Sequence, residues 1–496
     1  MPKRIIARQS LCSDTKCPRR RMRYNSEFAA AAATLIKNKG ANYMKLNLRT
    51  GLAVAAAVAV LGAASVVMEN KSKVQAAGVQ APHFEVDPMW PKPLPNHWLM
   101  GNIIGVSVDT KDHIWIIHRQ GSLEGMENYA DPNPPGGKRV RGKVESECCS
   151  AAPPVLEFDE AGNLLASWGG KDGEGYVWPN SNHGITVDHK GNVWIGGNGR
   201  GTPPAAAAGR GAAGRGAAPA GGVAQPDEGN ISGLNRVGAA PLYHDSMILK
   251  FDQTGKFLMQ IGKSGQSKGS NDIENLGLPA KIFVDPKTNE VFVADGYGNK
   301  RVVVFDGDSG KYKRHWGAYG KKPDDTNMGP YDPNAPVAQQ FRNPVHCADL
   351  SLDGLLYVCD RPNDRIQVFK ADGTFVREHF FYKQTLGDGS TWDIAFSKDA
   401  QQKYIYLADG ANEKVHILLR ETMEELTSFG DGGRQPGAFY AVHSIATDSK
   451  GNIFTTETYR GQRVQKFVYK GLASVVKKDQ GVVWPASAKS PLPASK

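Results

Sequence analysis

The chain has 496 residues, among them 56 glycines and 30 prolines. Turn signals are too frequent and amphipathic helical periodicity too scarce for a helical protein, and one large all-β domain can absorb the length. The net charge of +10 does not describe a basic protein. Residues 1–49 carry twelve Lys/Arg against two acidic residues, and residues 78–496 sum to −1. That neutrality argues against a nucleic-acid partner, which requires clustered positive charge on the folded part, and leaves open only a local patch.

The first elements in chain order are targeting elements. Met44-Lys45-Leu46-Asn47-Leu48-Arg49 is a short basic start, residues 51–67 form an uncharged Ala/Val/Leu/Gly run, and Val74-Gln75-Ala76-Ala77 offers small residues for cleavage. This layout predicts a secretory signal over 44–77 and a periplasmic or secreted product. An uncleaved N-terminal anchor is the competing reading; otherwise no membrane contact is expected of the mature form. Residues 1–43 fit neither a fold nor a signal and read as an extension upstream of a start at Met44.

Phe84-Glu85-Val86-Asp87 then reads as a short strand, followed by the Pro-rich segment Pro88-Met89-Trp90-Pro91-Lys92-Pro93. Six copies of one grammar come next. Each has an apolar strand ending at Asp, a tight turn, a second apolar strand, a polar loop, a third strand, a Gly turn and a fourth strand. The copies start at Ile104, at His183, near Pro279, at Val345, at Thr391 and at Val442. The period of about 40 residues with four strands each is that of a propeller blade. The prediction is an all-β, six-bladed β-propeller over 82–480 and a flexible tail over 481–496. Residues 84–87 are expected to add an outer strand to the last blade and close the ring.

Two features stand outside the grammar. Residues 199–229 in the second copy are Gly, Ala, Pro and Arg with almost no apolar bulk, a composition that favours disorder. Cys148-Cys149 is a vicinal pair, while Cys347 and Cys359 share one copy. Export permits disulfides, and a bridge from either of the first two to either of the last two stays open.

Aligned on their first strands, the copies carry His183, His346 and His443 at the same phase in copies two, four and six. Ile104, Ala280 and Trp392 hold that phase in copies one, three and five. Histidine is one residue in about forty here, so three in phase in alternate copies is not background. First strands line the channel of a propeller, so the three imidazoles should converge on the axis. Three histidines form a zinc layout that keeps a coordination position open. The competing reading is a channel lined with hydrogen-bonding histidines. The same alignment puts Arg119 and Arg361 at the ends of second strands, and Tyr297 in the corresponding loop of copy three, on the histidine face. The guanidiniums suit a carboxylate, and a phenol among cations suits a base.

With these residues in place, the repeats resemble NHL repeats. Residues 100–470 resemble the peptidyl-α-hydroxyglycine α-amidating lyase (peptidylamidoglycolate lyase) domain of the peptide-amidating enzymes. The matching phrases are Ile116-Ile117-His118-Arg119, Asn182-His183-Gly184-Ile185, Ala294-Asp295-Gly296-Tyr297, Pro344-Val345-His346, Cys359-Asp360-Arg361 and Val442-His443-Ser444-Ile445. The resemblance implies Zn2+ on His183, His346 and His443. It implies Tyr297 as the base that takes the hydroxyl proton of a carbinolamide, releasing an amide and glyoxylate. Arg119 and Arg361 would hold the substrate carboxylate. The substrate would be a small molecule or peptide bearing a carboxylate, and a monomer is expected. The chain also departs from the family. The copper monooxygenase half has no counterpart, and Ser444 stands where the family's structural Ca2+ site uses Asp, which speaks against calcium. The insertion in copy two is foreign to it. Two alternatives remain open: a non-catalytic NHL propeller that binds a protein or small ligand, and a lactonase-like propeller hydrolase.

Overall fold

The computed structural model of the chain describes residues 78–135, 143–200 and 244–485. The expected extension over 1–43, the signal over 44–77 and nearly all of the insertion over 199–229 lie outside them. Six four-stranded antiparallel sheets follow one another along the sequence. Blade one runs through Asn102–Val108, Ile114–Arg119, Val155–Phe158 and Leu164–Trp168. Blade two is Asn182–Val187, Val193–Gly197, Met247–Phe251 and Phe257–Gly262. Blade three is Lys281–Val284, Glu290–Asp295, Arg301–Asp306 and Tyr312–Trp316. Blade four is Val345–Leu350, Leu355–Asp360, Arg365–Lys370 and Phe375–Phe380. Blade five is Asp393–Phe396, Tyr404–Asp409, Lys414–Leu419 and Glu424–Phe429. Blade six is Val442–Thr447, Ile453–Glu457 and Val464–Ser474.

Blade six takes its fourth strand from the start of the described chain. Gln80–Asp87 pairs antiparallel with Val464–Ser474, from Gln80 opposite Ser474 to Asp87 opposite Lys466. This latch joins the two ends of the ring and leaves neither as an open edge. It begins four residues earlier than the sequence suggests. The tail expected over 481–496 also begins with docked residues: Val483 is buried and its carbonyl accepts a hydrogen bond from the Val86 amide.

Second strands such as Ile114–Arg119 and Glu290–Asp295 are buried along their whole length. Both of their faces meet a neighbouring blade, which is why they read as continuous apolar runs rather than as alternation. The core is divided accordingly into six clusters, one between each pair of adjacent blades. Trp115 and Ile117 of blade one, for example, pack on Ile185, Ile195 and Phe251 of blade two. Phe454 and Val464 of blade six pack back on Ile114 and Phe158 of blade one, which closes the circle.

The turn after each first strand has a polar cap. Asp188 accepts the backbone N–H groups of Lys190 and Asn192 and the indole N–H of Trp194. Asp109 and Asp448 repeat the pattern; in blades four and five the expected aspartate is instead Ser351 or Ser397, whose hydroxyl accepts the Leu355 or Tyr404 amide. These side chains mimic a backbone turn and fix the register between first and second strands. Among the described residues no helix is long and apolar enough to cross a membrane.

Candidate metal centre and active site

The first strands of the six blades adjoin one another in turn around the axis, so residues in phase on them share one height. Pairing with the second strand slips one residue at this phase. The register jumps across Gly184 in blade two, across His346 in blade four and across His443 in blade six. A β-bulge re-aims the side chain beside it; here His346 and His443 are themselves the unpaired residues, while His183 stays paired with Gly196 and the bulge falls on Gly184 next to it. Gly184 has a φ of +72°, and a Cβ there would stand 2.4 Å from the carbonyl oxygen of Ala280. Only glycine fits the close approach of blades two and three beside His183.

The three buried imidazoles meet. Their ring centroids are 5.2 Å apart for His183 and His346, 4.9 Å for His183 and His443, and 4.8 Å for His346 and His443. One ligand atom of each lies within 4.8 Å of the others. His183 Nδ1 donates to the carbonyl of Ala280 at 2.8 Å, and His346 Nδ1 donates to the carbonyl of Trp392. Ala280 and Trp392 are the residues that hold the histidine phase in blades three and five. The carbonyls of blades three and five therefore fix the tautomer of the imidazoles of blades two and four. With Nδ1 protonated, the Nε2 lone pair is the one available to a metal, the arrangement that metal-bound histidines adopt. The donor set, three imidazoles without a thiolate or carboxylate, fits Zn2+ with one position open.

Tyr297 joins this group. Its loop leaves the second strand of blade three, and a Cβ at Gly296 would stand 2.0 Å from the Val345 carbonyl oxygen, so blade four presses directly on the turn. The Tyr297 hydroxyl lies 3.1 Å from His183 Nε2 and 3.1 Å from His346 Nε2. Arg361 follows the second strand of blade four and directs Nη1 at the Tyr297 hydroxyl over 3.4 Å. Its guanidinium lies over the Trp392 ring, 4.5 Å from the centroid, and its Nη2 meets Asp388 at 3.2 Å.

Arg119 is placed differently. It is fully buried, and its hydrogen bonds go to the Asn182 carbonyl at 3.3 Å and to Asn198 Oδ1 at 2.8 Å, not to Tyr297 or Arg361. Its Nη1 has no hydrogen-bond partner among the described residues, and no carboxylate pairs with it there. A buried guanidinium in that state is costly unless an anion completes it. The residue before it, His118, is also fully buried. Its Nδ1 accepts the Gly101 amide, and its Nε2 lies 3.0 Å from the Pro153 carbonyl. Burial pushes this imidazole down to about 4. The unfolded chain takes up a proton at His118 near pH 6.5 that the folded chain refuses until about pH 4. Stability should therefore be intact above pH 6.5 and fall with acid by about 1.4 kcal/mol per pH unit across that window. Urea titrations of wild type and His118→Gln at pH 7.0 and 5.0 should show the variant losing less stability on acidification. Equal losses would remove His118 as the cause.

The residues just beyond the histidine phase hold a second polar cluster. Lys281 Nζ meets Asp349 at 2.9 Å and Asp393 at 2.5 Å, and Asp393 also accepts the Ser444 hydroxyl and the Ile445 amide. Burial alone would lower the lysine pKa, but the two carboxylates outweigh it and raise it. The cation that meets these carboxylates is thus the protein's own ammonium, tying blades three, four, five and six together. Lys281→Met should cost about 3–5 kcal/mol in equilibrium unfolding, because it leaves two buried carboxylates facing each other. A loss under about 1 kcal/mol would show that the pair is not held as described.

Sequence reasoning did not find Trp392 as the platform under Arg361, Asp388 as its partner, or the Lys281 cluster. The in-phase tryptophan was the only visible signal. The cysteines pair within their own regions, Cys148 with Cys149 and Cys347 with Cys359. The cross-bridge left open by the sequence does not form. Cys347 and Cys359 face each other across the first two strands of blade four, which rules out a longer-range partner.

No protein-family profile matches the chain. Three curated relatives are similar to it. Peptidyl-glycine α-amidating monooxygenase B of Xenopus laevis is 27% identical over 297 residues, covering 60% of this chain and 26% of that protein. The Mus musculus peptidyl-glycine α-amidating monooxygenase is 37% identical over 299 residues, covering 60% and 23%. Peptidyl-α-hydroxyglycine α-amidating lyase 1 of Drosophila melanogaster is 24% identical over 400 residues, covering 77% and 59%. The matched span is thus about a quarter of the length of the monooxygenases. Among solved structures, a streptogramin B lyase (12% identity, TM-score 0.41) covers 79% of this chain and 98% of its own. Virginiamycin B lyase of Staphylococcus aureus (12%, 0.38) covers 78% and 89%. Both likenesses are too loose to bear on activity. Fold, histidine ring and relatives agree: the chain is a six-bladed, NHL-like β-propeller whose homologues are peptidylglycine α-amidating monooxygenases and a peptidyl-α-hydroxyglycine α-amidating lyase.

Proposed function

We propose that this protein is a secreted, zinc-dependent carbon–nitrogen lyase that cleaves a peptidyl-α-hydroxyglycine-like carbinolamide to an amide and glyoxylate. The observation that carries the reading is the Tyr297 hydroxyl, 3.1 Å from the Nε2 atoms of both His183 and His346 and within reach of Arg361. His183, His346 and His443 would hold zinc, which when bound supplies a Lewis acid for a substrate oxygen.

The chain's own residues do the rest. Tyr297 accepts the proton of the substrate hydroxyl. The O–H electrons become the second C–O bond of glyoxylate, the C–N bond breaks, and its electrons stay on the amide nitrogen. The proton passes from Tyr297 to that nitrogen, so no proton is gained or lost overall. Arg361, beside the phenol oxygen and stacked on Trp392, stabilises negative charge there. Arg119 offers Nη1 to the substrate carboxylate, which supplies the missing counter-charge. Tyr297 is nearly buried, so water competes poorly for these contacts.

A lactonase-like hydrolase would need carboxylates open to calcium. The buried Asp349 and Asp393 are instead neutralised by Lys281. A non-catalytic binding propeller would leave the base-like placement of Tyr297 without a role. The reading is tested by measuring glyoxylate released from an N-acyl-α-hydroxyglycine. Zinc-replete protein that forms none refutes it.

A further inference from the structure

A cavity of about 310 Å³ opens beside the proposed active site, between the loops that connect blades three, four and five. Arg361 forms part of its wall, and the same guanidinium lies 5.7 Å from the centre of the Tyr297 ring. Asn343, also in the wall, donates to the carbonyls of Gly296 and Asn299 on either side of the Tyr297 loop. The cavity thus adjoins the catalytic group, sharing Arg361 with it and buttressing the Tyr297 loop through Asn343.

Its charge is one-sided. Lys300 and Arg342 line it together with Arg361, against one carboxylate, Asp388, which Arg361 and the Tyr459 hydroxyl already engage. Lys300 is 5% exposed and gives Nζ to the Thr326 carbonyl. Arg342 gives Nε to Asn363 and Nη1 to the Gly329 carbonyl, and lies over the Tyr331 ring. Neither cation forms an ion pair among the described residues. Burial lowers the pKa of both, against the opposing pull of Asp325 and Asp324 near Lys300 and of Asp360 near Arg342.

We propose that this cavity binds the acyl side of the substrate and selects an acyl group carrying a carboxylate, held by Lys300 and Arg342. The proposal rests on the lyase reading and deepens it. With Arg119 taking the glycine-derived carboxylate on the blade-one side, the amide and its acyl group extend past Tyr297 towards Arg361 and this cavity. The preferred substrate is then anionic at both ends, as in a peptide with an acidic residue before the hydroxyglycine. Such placement acts through an unpaired cation desolvated in a cleft, where one charge-assisted contact gives roughly ten- to a hundredfold discrimination.

Two substrates of equal size separate charge from shape: succinyl-α-hydroxyglycine and succinamoyl-α-hydroxyglycine, whose terminal groups are carboxylate and carboxamide. The expected kcat/KM ratio is at least tenfold in favour of succinyl. It should fall towards one in Lys300→Met, in Arg342→Met and in high salt, and persist in Lys300→Arg; thermal melts check that each variant is folded. Calorimetry should show succinamate, the product amide, binding at least tenfold more tightly than succinamide. Turnover of both substrates with a ratio near one overturns the acidic pocket and leaves the lyase standing. No turnover of either, with succinamate still favoured and the preference lost in Lys300→Met, overturns the lyase and keeps an anion-selective cavity. No turnover and no preference in binding overturns both.

Discussion

One equivalent of zinc should be found in the purified protein, and none in a variant with His183→Ala, His346→Ala and His443→Ala combined. The expectation follows from three buried imidazoles whose ligand atoms lie within 4.8 Å of one another. It follows equally from the carbonyls of Ala280 and Trp392, which hold two of them in the Nδ1-protonated form. Loss of an outer-shell partner typically weakens a metal site 10- to 100-fold, so loss of one imidazole, as in His183→Ala, should weaken it by about 100-fold or more. Because imidazole binds metal only when neutral, metal content should also decline as pH falls through the ordinary histidine range. Inductively coupled plasma mass spectrometry on protein purified without chelator, then on protein reconstituted with zinc, reads all three effects. Wild-type protein that holds no more metal than the triple variant would reduce the ring to a hydrogen-bonded channel lining.

Tyr297→Phe should lower kcat for glyoxylate release by about 10²- to 10⁴-fold, the usual contribution of a positioned proton-transfer group, while zinc content stays near one equivalent. The substitution removes a single oxygen that contacts His183, His346 and Arg361 and leaves the ring packing of blade three in place. Separating kcat from metal content matters because the phenol touches two of the metal-binding candidates. Arg361→Lys tests the same centre from the other side. A lysine keeps the charge but loses the planar stack on Trp392 and the fork that reaches Tyr297 and Asp388 together. It should therefore reduce kcat rather than restore it. A Tyr297→Phe protein that retains a tenth or more of the wild-type rate would remove Tyr297 from the proton transfer.

The sequence by itself determined the architecture and the ring. Six copies of one strand grammar can close into one propeller, and in a closed ring of like units equal phase in sequence means equal height on the axis. His183, His346 and His443 could thus be placed together although 97 to 260 residues separate them. Tyr297 and Arg361 followed from the same phase argument, and the structure brings both onto the histidine face. Arg119 came onto that face too, but against Asn182 and Asn198 instead of the phenol.

What only the tertiary structure decided lies between blades. The bulges that swing His346 and His443 to the axis carry no residue signature, and at His183 the only trace is Gly184. The Trp392 carbonyl on His346 joins residues 46 apart, and Lys281 on Asp393 joins residues 112 apart. Such contacts depend on how neighbouring blades are rotated and spaced, and strand periodicity does not encode that. The pairing of Cys347 with Cys359 and the docking of Val483 were settled in the same way, by which strands came to lie face to face. A repeat fixes the phase of its own residues; the partners those residues meet are fixed by the next repeat's backbone, and only packing brings that backbone into place.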